Sequence, residues 1–136
     1  MPLDDSLIDR ALYVLASRKL VEPDPVDLEA CTQWVEIKLN KGKAFNSSQE
    51  IYKNIYGTAP PSNFGNPKSA VEVCMKIREV KGASPLSIAE VTALTIYEDL
   101  LTDICEGKDV KVGKMGCLGV VSIFVLLLVV SVIINY

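Results

Sequence analysis

The side chains that do most enzymatic work are missing from this chain or badly spaced in it. No histidine occurs among the 136 residues. The commonest general base and metal ligand are therefore absent, and so are the Ser-His and Cys-His nucleophile systems. The acid pairs Asp4-Asp5 and Glu98-Asp99 have the right chemistry for proton transfer, but at helix caps and on exposed helix faces such carboxylates are solvated. Cys31, Cys74, Cys105 and Cys117 lie far apart with no C-x-x-C pair, which argues against a zinc site and against a dense disulfide framework. Three of them read as small buried apolar residues, and Cys117 stands at a membrane boundary where palmitoylation is chemically open. Gly113, Gly116 and Gly119 follow no strand, so they do not form a phosphate-cradling loop. No enzymatic activity, metal or cofactor is expected; what remains is recognition of a partner surface.

Helices must carry that surface. Asp4-Asp5-Ser6 supplies an N-cap and first-turn acids, and Ile8, Ala11, Leu12, Leu15 and Leu20 recur at helical spacing up to about Leu20. Glu22-Pro23-Asp24-Pro25 interrupts the pattern, and Asp24 with Pro25 caps and opens a second helix. Its stripe is Leu28, Cys31, Val35 and Leu39, widened by Trp34 and Ile37, and it closes at Gly42. A capping box at Ser47-Ser48-Gln49-Glu50 precedes Ile51, Tyr52, Ile55 and Tyr56, so a short third helix runs to Gly57. The stretch 58–66 is too rich in Pro, Ser, Asn and Gly for a regular element and reads as a loop. Pro67 is expected to open a fourth helix lined by Ala70, Val73, Cys74, Ile77 and Val80, with Gly82 closing it. Ser84-Pro85 is expected to start a fifth, Leu86 to Ile104, whose first half has few polar faces and which is expected to form the centre of the core. No period-two strand pattern and no internal repeat occur.

Residues Gly116 to Ile134 carry no charge and are apolar on every face. About 20 residues at roughly 1.5 Å each cover the ~30 Å of a bilayer's hydrocarbon core, so this run reads as a membrane span. Lys108, Lys111 and Lys114 precede it, as the bias of basic residues toward the cytoplasmic side requires. The acidic start Met1 to Ser6 does not read as a signal peptide, so the N-terminal part is expected in the cytosol. The 14 basic residues are scattered and the net charge is −3, so nucleic acid is not an expected partner. The expected organisation is a helical domain over 1–109, a basic tether over 110–115 and a tail anchor over 116–134.

Several short stretches in this order resemble the B-cell lymphoma 2 (Bcl-2) family of apoptosis regulators. Asp4 to Leu20 is similar to the family's first helix and its fourth homology motif, with Ser17-Arg18-Lys19-Leu20 at the motif's end. Leu28-Glu29-Ala30-Cys31-Thr32-Gln33-Trp34-Val35 resembles the third motif, except that Thr32 and Gln33 replace its glycine and aspartate. Ala44-Phe45 with Ser48-Gln49 is similar to the turn that follows. Asn63-Phe64-Gly65-Asn66 resembles the first motif, Asn-Trp-Gly-Arg, with Asn66 where survival members carry the arginine that pairs with a ligand helix's aspartate. Ser84-Pro85-Leu86 resembles the segment opening the helix after the central hairpin, and the second motif, near 102–110, is scarcely recognisable. The short loops and decayed motifs look like a compact viral member, of iridovirus type.

The resemblance implies an all-α, Bcl-2-like bundle around a buried apolar helix, with a C-terminal transmembrane helix. It implies a survival protein that sequesters pro-apoptotic ligand helices of Bim, Bid or Bak type at the mitochondrial outer membrane or endoplasmic reticulum. The groove is expected between the second and third helices, floored by the helix after Pro67, and an amphipathic helix would enter it through apolar anchors at i, i+3 or i+4 and i+7. Val35, Leu39, Phe45, Ile51 and Ile55 are the expected lining, with Asn63, Gly65 and Asn66 at its end. An exposed groove also leaves a homodimer open. Two alternatives stand beside this reading: a tail-anchored scaffold or adaptor that pairs amphipathic helices, and a pro-apoptotic member of the same fold.

Overall fold

The computed structural model describes residues 3–41 and 48–112. Five α-helices follow in order: α1 (Asp5–Ser17), α2 (Pro25–Lys41), α3 (Ser48–Tyr56), α4 (Ala70–Lys81) and α5 (Ile88–Cys105), with a 3-10 turn at Ser62–Phe64. No strand occurs among the described residues, so the all-α class stands. No helix among them is long and apolar enough to cross a membrane. The run Gly116 to Ile134, with Cys117, and the groove position Phe45 lie outside the described residues.

Helix α1 starts as its sequence indicates: the Asp4 carboxylate accepts from the Ser6 N–H at 3.0 Å, which satisfies one orphan donor of the first turn. The helix stops at Ser17, short of Leu20, because the Ser17 hydroxyl donates to the Val14 carbonyl and Lys19 turns left-handed at φ 56°. In α2, Pro25 holds the first helical position, and the Asp24 carbonyl accepts from Leu28 N–H. The Asp24 carboxylate turns instead to Arg78 of α4.

Two helix starts differ from the sequence expectation, each by three residues. Pro67 precedes α4 and is buried, while the Ser69 hydroxyl caps the helix by accepting from Glu72 N–H. Glu72 reaches back to accept from Lys68 N–H at 2.9 Å. Likewise Ser84-Pro85 stays outside α5, which begins with a full capping box between Ser87 and Glu90. In both places a Ser-x-x-Glu pair satisfies two orphan N–H groups, whereas a proline merely lacks one. Gly82 ends α4 in the left-handed region (φ 71°), and Ala83 N–H donates to the Arg78 carbonyl, a Schellman closure.

The core lies where α2 meets α3, α4 and α5, with α1 packed mainly on α5. Its contents include Val14 and Leu15 of α1, Cys31, Trp34 and Val35 of α2, Ile51 of α3, Val73 and Ile77 of α4, and Leu94, Tyr97 and Leu101 of α5. Phe64 joins them, fully buried, from a stretch whose composition marked it only as loop. Helix α5 is not enclosed on all sides as its apolar first half suggested. Ala89, Thr92, Thr95 and Asp99 are exposed, and Ile88 is 86% exposed. The polar residues at 92, 95 and 99 recur at helical spacing, which gives α5 one wet face.

One charged cluster ties three helices together. Arg78 Nη2 donates to Asp27 at 2.6 Å and to Asp24 at 3.0 Å, and its Nη1 donates to the Ser84 carbonyl at 2.9 Å. Glu90 of α5 stands 3.7 Å from the same guanidinium. Asp27 is nearly inaccessible, and its hydrogen bond holds the Arg78 pKa above its usual value despite burial. The capping bonds from Ser87, with help from Arg78, hold the Glu90 carboxyl below the usual carboxylate range.

A second pair, Lys38 Nζ to Glu98 at 3.6 Å, links α2 to α5. Here burial outweighs the lysine and raises the Glu98 pKa. A raised folded-state pKa gives stability that is present below the unfolded value and is lost as pH climbs through the folded one. Glu98→Gln is therefore expected to stabilise the fold at pH 7, by an amount on the order of 0.5 kcal/mol. The gain should vanish as pH falls to about 3, where the carboxyl is neutral in both states. Urea unfolding of both proteins at the two pH values checks this; a loss of stability at pH 7 would show that Lys38 dominates.

Candidate functional site

The stretch that resembles the first homology motif forms a tight turn on the surface. Phe64 points inward, its ring edge-on to Tyr52 of α3 with centroids 5.3 Å apart, while Asn63, Gly65 and Asn66 are exposed. Gly65 adopts φ 66°, ψ −148°, a backbone region open essentially to glycine alone. A Cβ there would meet nothing within 4 Å, so the backbone and not crowding requires the glycine. The Gln49 side-chain amide donates to the Gly65 carbonyl at 3.2 Å, and Lys76 Nζ donates to the Asn63 carbonyl at 3.3 Å. The turn is thereby fixed to α3 on one side and α4 on the other.

Between this turn and α4 lies a concavity of about 290 Å³, lined by Phe64, Gly65, Asn66, Met75, Lys76 and Glu79 among others. Met75, 49% exposed, separates it from a neighbour of about 380 Å³ formed with Arg78, Ala83, Pro85 and Leu86. The combined surface is mixed: Met75, Pro85 and Leu86 stand beside Glu72, Arg78 and the ion pair of Lys76 with Glu79, 3.4 Å apart. Sequence reasoning placed the helix after Pro67 at the floor of the groove but named no residue of α4 on this surface. Met75 falls off the helix's buried stripe, and an exposed methionine off the stripe is the one signal that could have marked it.

The expected groove residues divide into three groups. Val35 and Ile51 have no exposed surface and form the seam between α2 and α3. Leu39 and Ile55 are half-buried and pack on the rim of the core. Asn63, Gly65 and Asn66 are exposed and stay together at the turn, of which Gly65 and Asn66 line the smaller concavity. Beside them Tyr52 and Tyr56 stack at 4.8 Å, with Lys81 Nζ 3.9 Å from the Tyr56 ring centre. A lysine at that distance from a tyrosine face makes a cation–π contact that joins α3 to the end of α4.

The two departures in the α2 stretch have structural uses. Thr32 is buried, its hydroxyl 2.6 Å from Tyr97 Oη on α5 and 2.8 Å from the Leu28 carbonyl. Thr32 has one hydroxyl hydrogen, which goes to Leu28, so Tyr97 donates to Thr32. Burial pushes the Tyr97 phenol up to about 12. Gln33 faces outward, its amide nitrogen donating to Glu29 and its oxygen accepting from Asn54 of α3. Both side chains thus serve packing of α2 within its own bundle. Cys31 and Cys74 approach to 4.0 Å across α2 and α4, both buried as thiols; their mutual hydrogen bond and burial hold Cys74 well above the usual thiol range. Among the described residues no group of three or more Cys, Asp or Glu is placed to hold a metal ion.

No family model, curated protein or solved structure matches this chain.

Proposed function

We propose that this protein is a Bcl-2-like inhibitor of apoptosis, of viral type, that sequesters amphipathic ligand helices of pro-apoptotic partners. The observation that carries the reading is the Asn63–Asn66 turn. It stands exposed at the edge of a concavity of mixed apolar and charged lining, anchored by a buried aromatic and shaped by a glycine that its backbone requires. Leu39 and Ile55 offer half-buried apolar contacts for a ligand helix. Val35 and Ile51 support them from beneath and meet a ligand only if α3 moves off α2. Thr32 and Gln33, committed to contacts inside the bundle, favour a receptor over a protein that lends its own α2 as ligand. Gly116 to Ile134 serves as a single-span tail anchor that places the bundle on the cytosolic face of the mitochondrial outer membrane or endoplasmic reticulum.

The test is a titration of the full-length chain, in detergent, with labelled Bim-, Bid- and Bak-type peptides. At least one is expected to bind at micromolar concentration or below, and Ile55→Glu is expected to weaken that binding tenfold or more by placing a charge against the ligand's apolar face. Absence of micromolar binding to all three peptides would overturn the reading.

A further inference from the structure

Arg18 Nη2 donates to the Lys111 carbonyl at 2.7 Å, a bond that joins residues 93 apart in sequence. The segment after α5 is thereby pinned to the C-terminal end of α1. Around this bond Lys19 and Lys111 are exposed, and neither they nor Arg18 make an ion pair among the described residues. Lys108 differs, being held between Asp103 and Glu106. Glu22 and Asp109 are the acids nearest these three bases in sequence, and Asp24, beyond Glu22, is tied to Arg78. Val21 and Val112, 44% and 51% exposed, flank the same bond. Val21 also forms the edge of a concavity of about 440 Å³ lined by Leu12, Leu20 and Leu28.

We propose that this end of the bundle, Arg18, Lys19 and Lys111 with Val21 and Val112, is the face laid against the anionic headgroups of the bilayer. The proposal rests on the reading of Gly116 to Ile134 as a membrane span. Three residues separate Val112 from Gly116, and the four Cα–Cα steps between them reach at most about 14 Å when fully extended. The headgroup layer is itself roughly 5–7 Å thick on each side. An exit point fixed on the end of α1 therefore brings that end to the headgroups, whatever the tilt of the rest. Charge acts in the same direction. The chain as a whole carries −3, and Arg18, Lys19 and Lys111, in no ion pair among the described residues, are cations that an anionic leaflet draws. The exposed valines lie where apolar side chains can enter the interface beside basic ones.

Amine footprinting of the full-length protein tests this in vesicles of phosphatidylcholine alone and with about one-third phosphatidylserine. Lys19 is the decisive residue, because only the fold brings it near the chain's exit. The expected result is labelling of Lys19 and Lys111 at least threefold slower in the anionic vesicles, with Lys53 and Lys68, exposed on α3 and before α4, unchanged. Equal labelling of Lys19 in both vesicles, or equal slowing of Lys53, would overturn the proposal if the chain resists extraction at alkaline pH. A chain that washes off at alkaline pH would instead overturn the membrane-anchor reading on which the proposal rests.

Discussion

Replacing Arg78 with methionine is expected to remove about 3–5 kcal/mol of folding stability, the loss usual when one partner of a buried ion pair disappears. The size follows from Asp27, whose side chain is only 4% exposed and whose carboxylate lies 2.6 Å from the guanidinium. Without Arg78 that charge stays buried in the first turn of α2, where the helix dipole offsets only a part of its cost. Asp24, at 64% exposure, loses little, since water replaces the guanidinium. The Ser84 carbonyl loses its donor as well, and with it the contact that holds the 83–87 connection against α4. Urea unfolding followed through the buried Trp34 measures the loss. Asp27→Asn added to Arg78→Met should restore a part of it, because the second change removes the stranded charge. A loss below about 1 kcal/mol would place this cluster among ordinary surface pairs.

How far the sequence reveals this architecture depends on which force decides each feature. Helix α1 begins where the Asp4 cap indicates and α2 where Pro25 supplies a preset first position, although the Asp24 carboxylate goes to Arg78, and no stronger box competes nearby. At α4 and α5 the proline signals lost to Ser69-x-x-Glu72 and Ser87-x-x-Glu90, which were equally present in the sequence but weigh more in hydrogen bonds. The candidate site was less legible for a different reason. Val35, Leu39, Ile51 and Ile55 are alike in residue type and helical spacing, yet two are sealed in the core and two lie on its rim. Only the seating of α3 on α2 separates them, and that is a tertiary fact. The Arg78 cluster was hidden too, since its members lie up to 66 residues apart across three helices. The exposed turn at 63–66 was recognisable by motif, while its anchoring on α4 through Lys76 was not.

Phe64→Ala is the second change expected to have a large effect, a loss of about 3–5 kcal/mol. The ring is fully buried and is one of the largest side chains in the core, although it sits in a one-turn 3-10 element with few backbone bonds of its own. Its edge-on contact with Tyr52 is what fastens the 62–66 turn to α3; the remaining ties, from Gln49 and Lys76, are single exposed hydrogen bonds. Those are worth roughly 1 kcal/mol each and cannot hold the turn alone. Deleting the ring also enlarges the adjoining 290 Å³ concavity toward the core, so the turn that presents Asn63, Gly65 and Asn66 should lose its fixed shape along with the stability. Phe64→Leu, which keeps most of the volume, should cost only about 1 kcal/mol. Gly65→Ala separates shape from packing: its Cβ meets open space, so its loss of about 1–3 kcal/mol comes from the backbone at φ 66°, ψ −148°. If the turn is the receptor surface proposed above, Phe64→Leu should keep peptide binding while Gly65→Ala weakens it at similar stability. Equal binding by these two variants would assign the turn to folding alone.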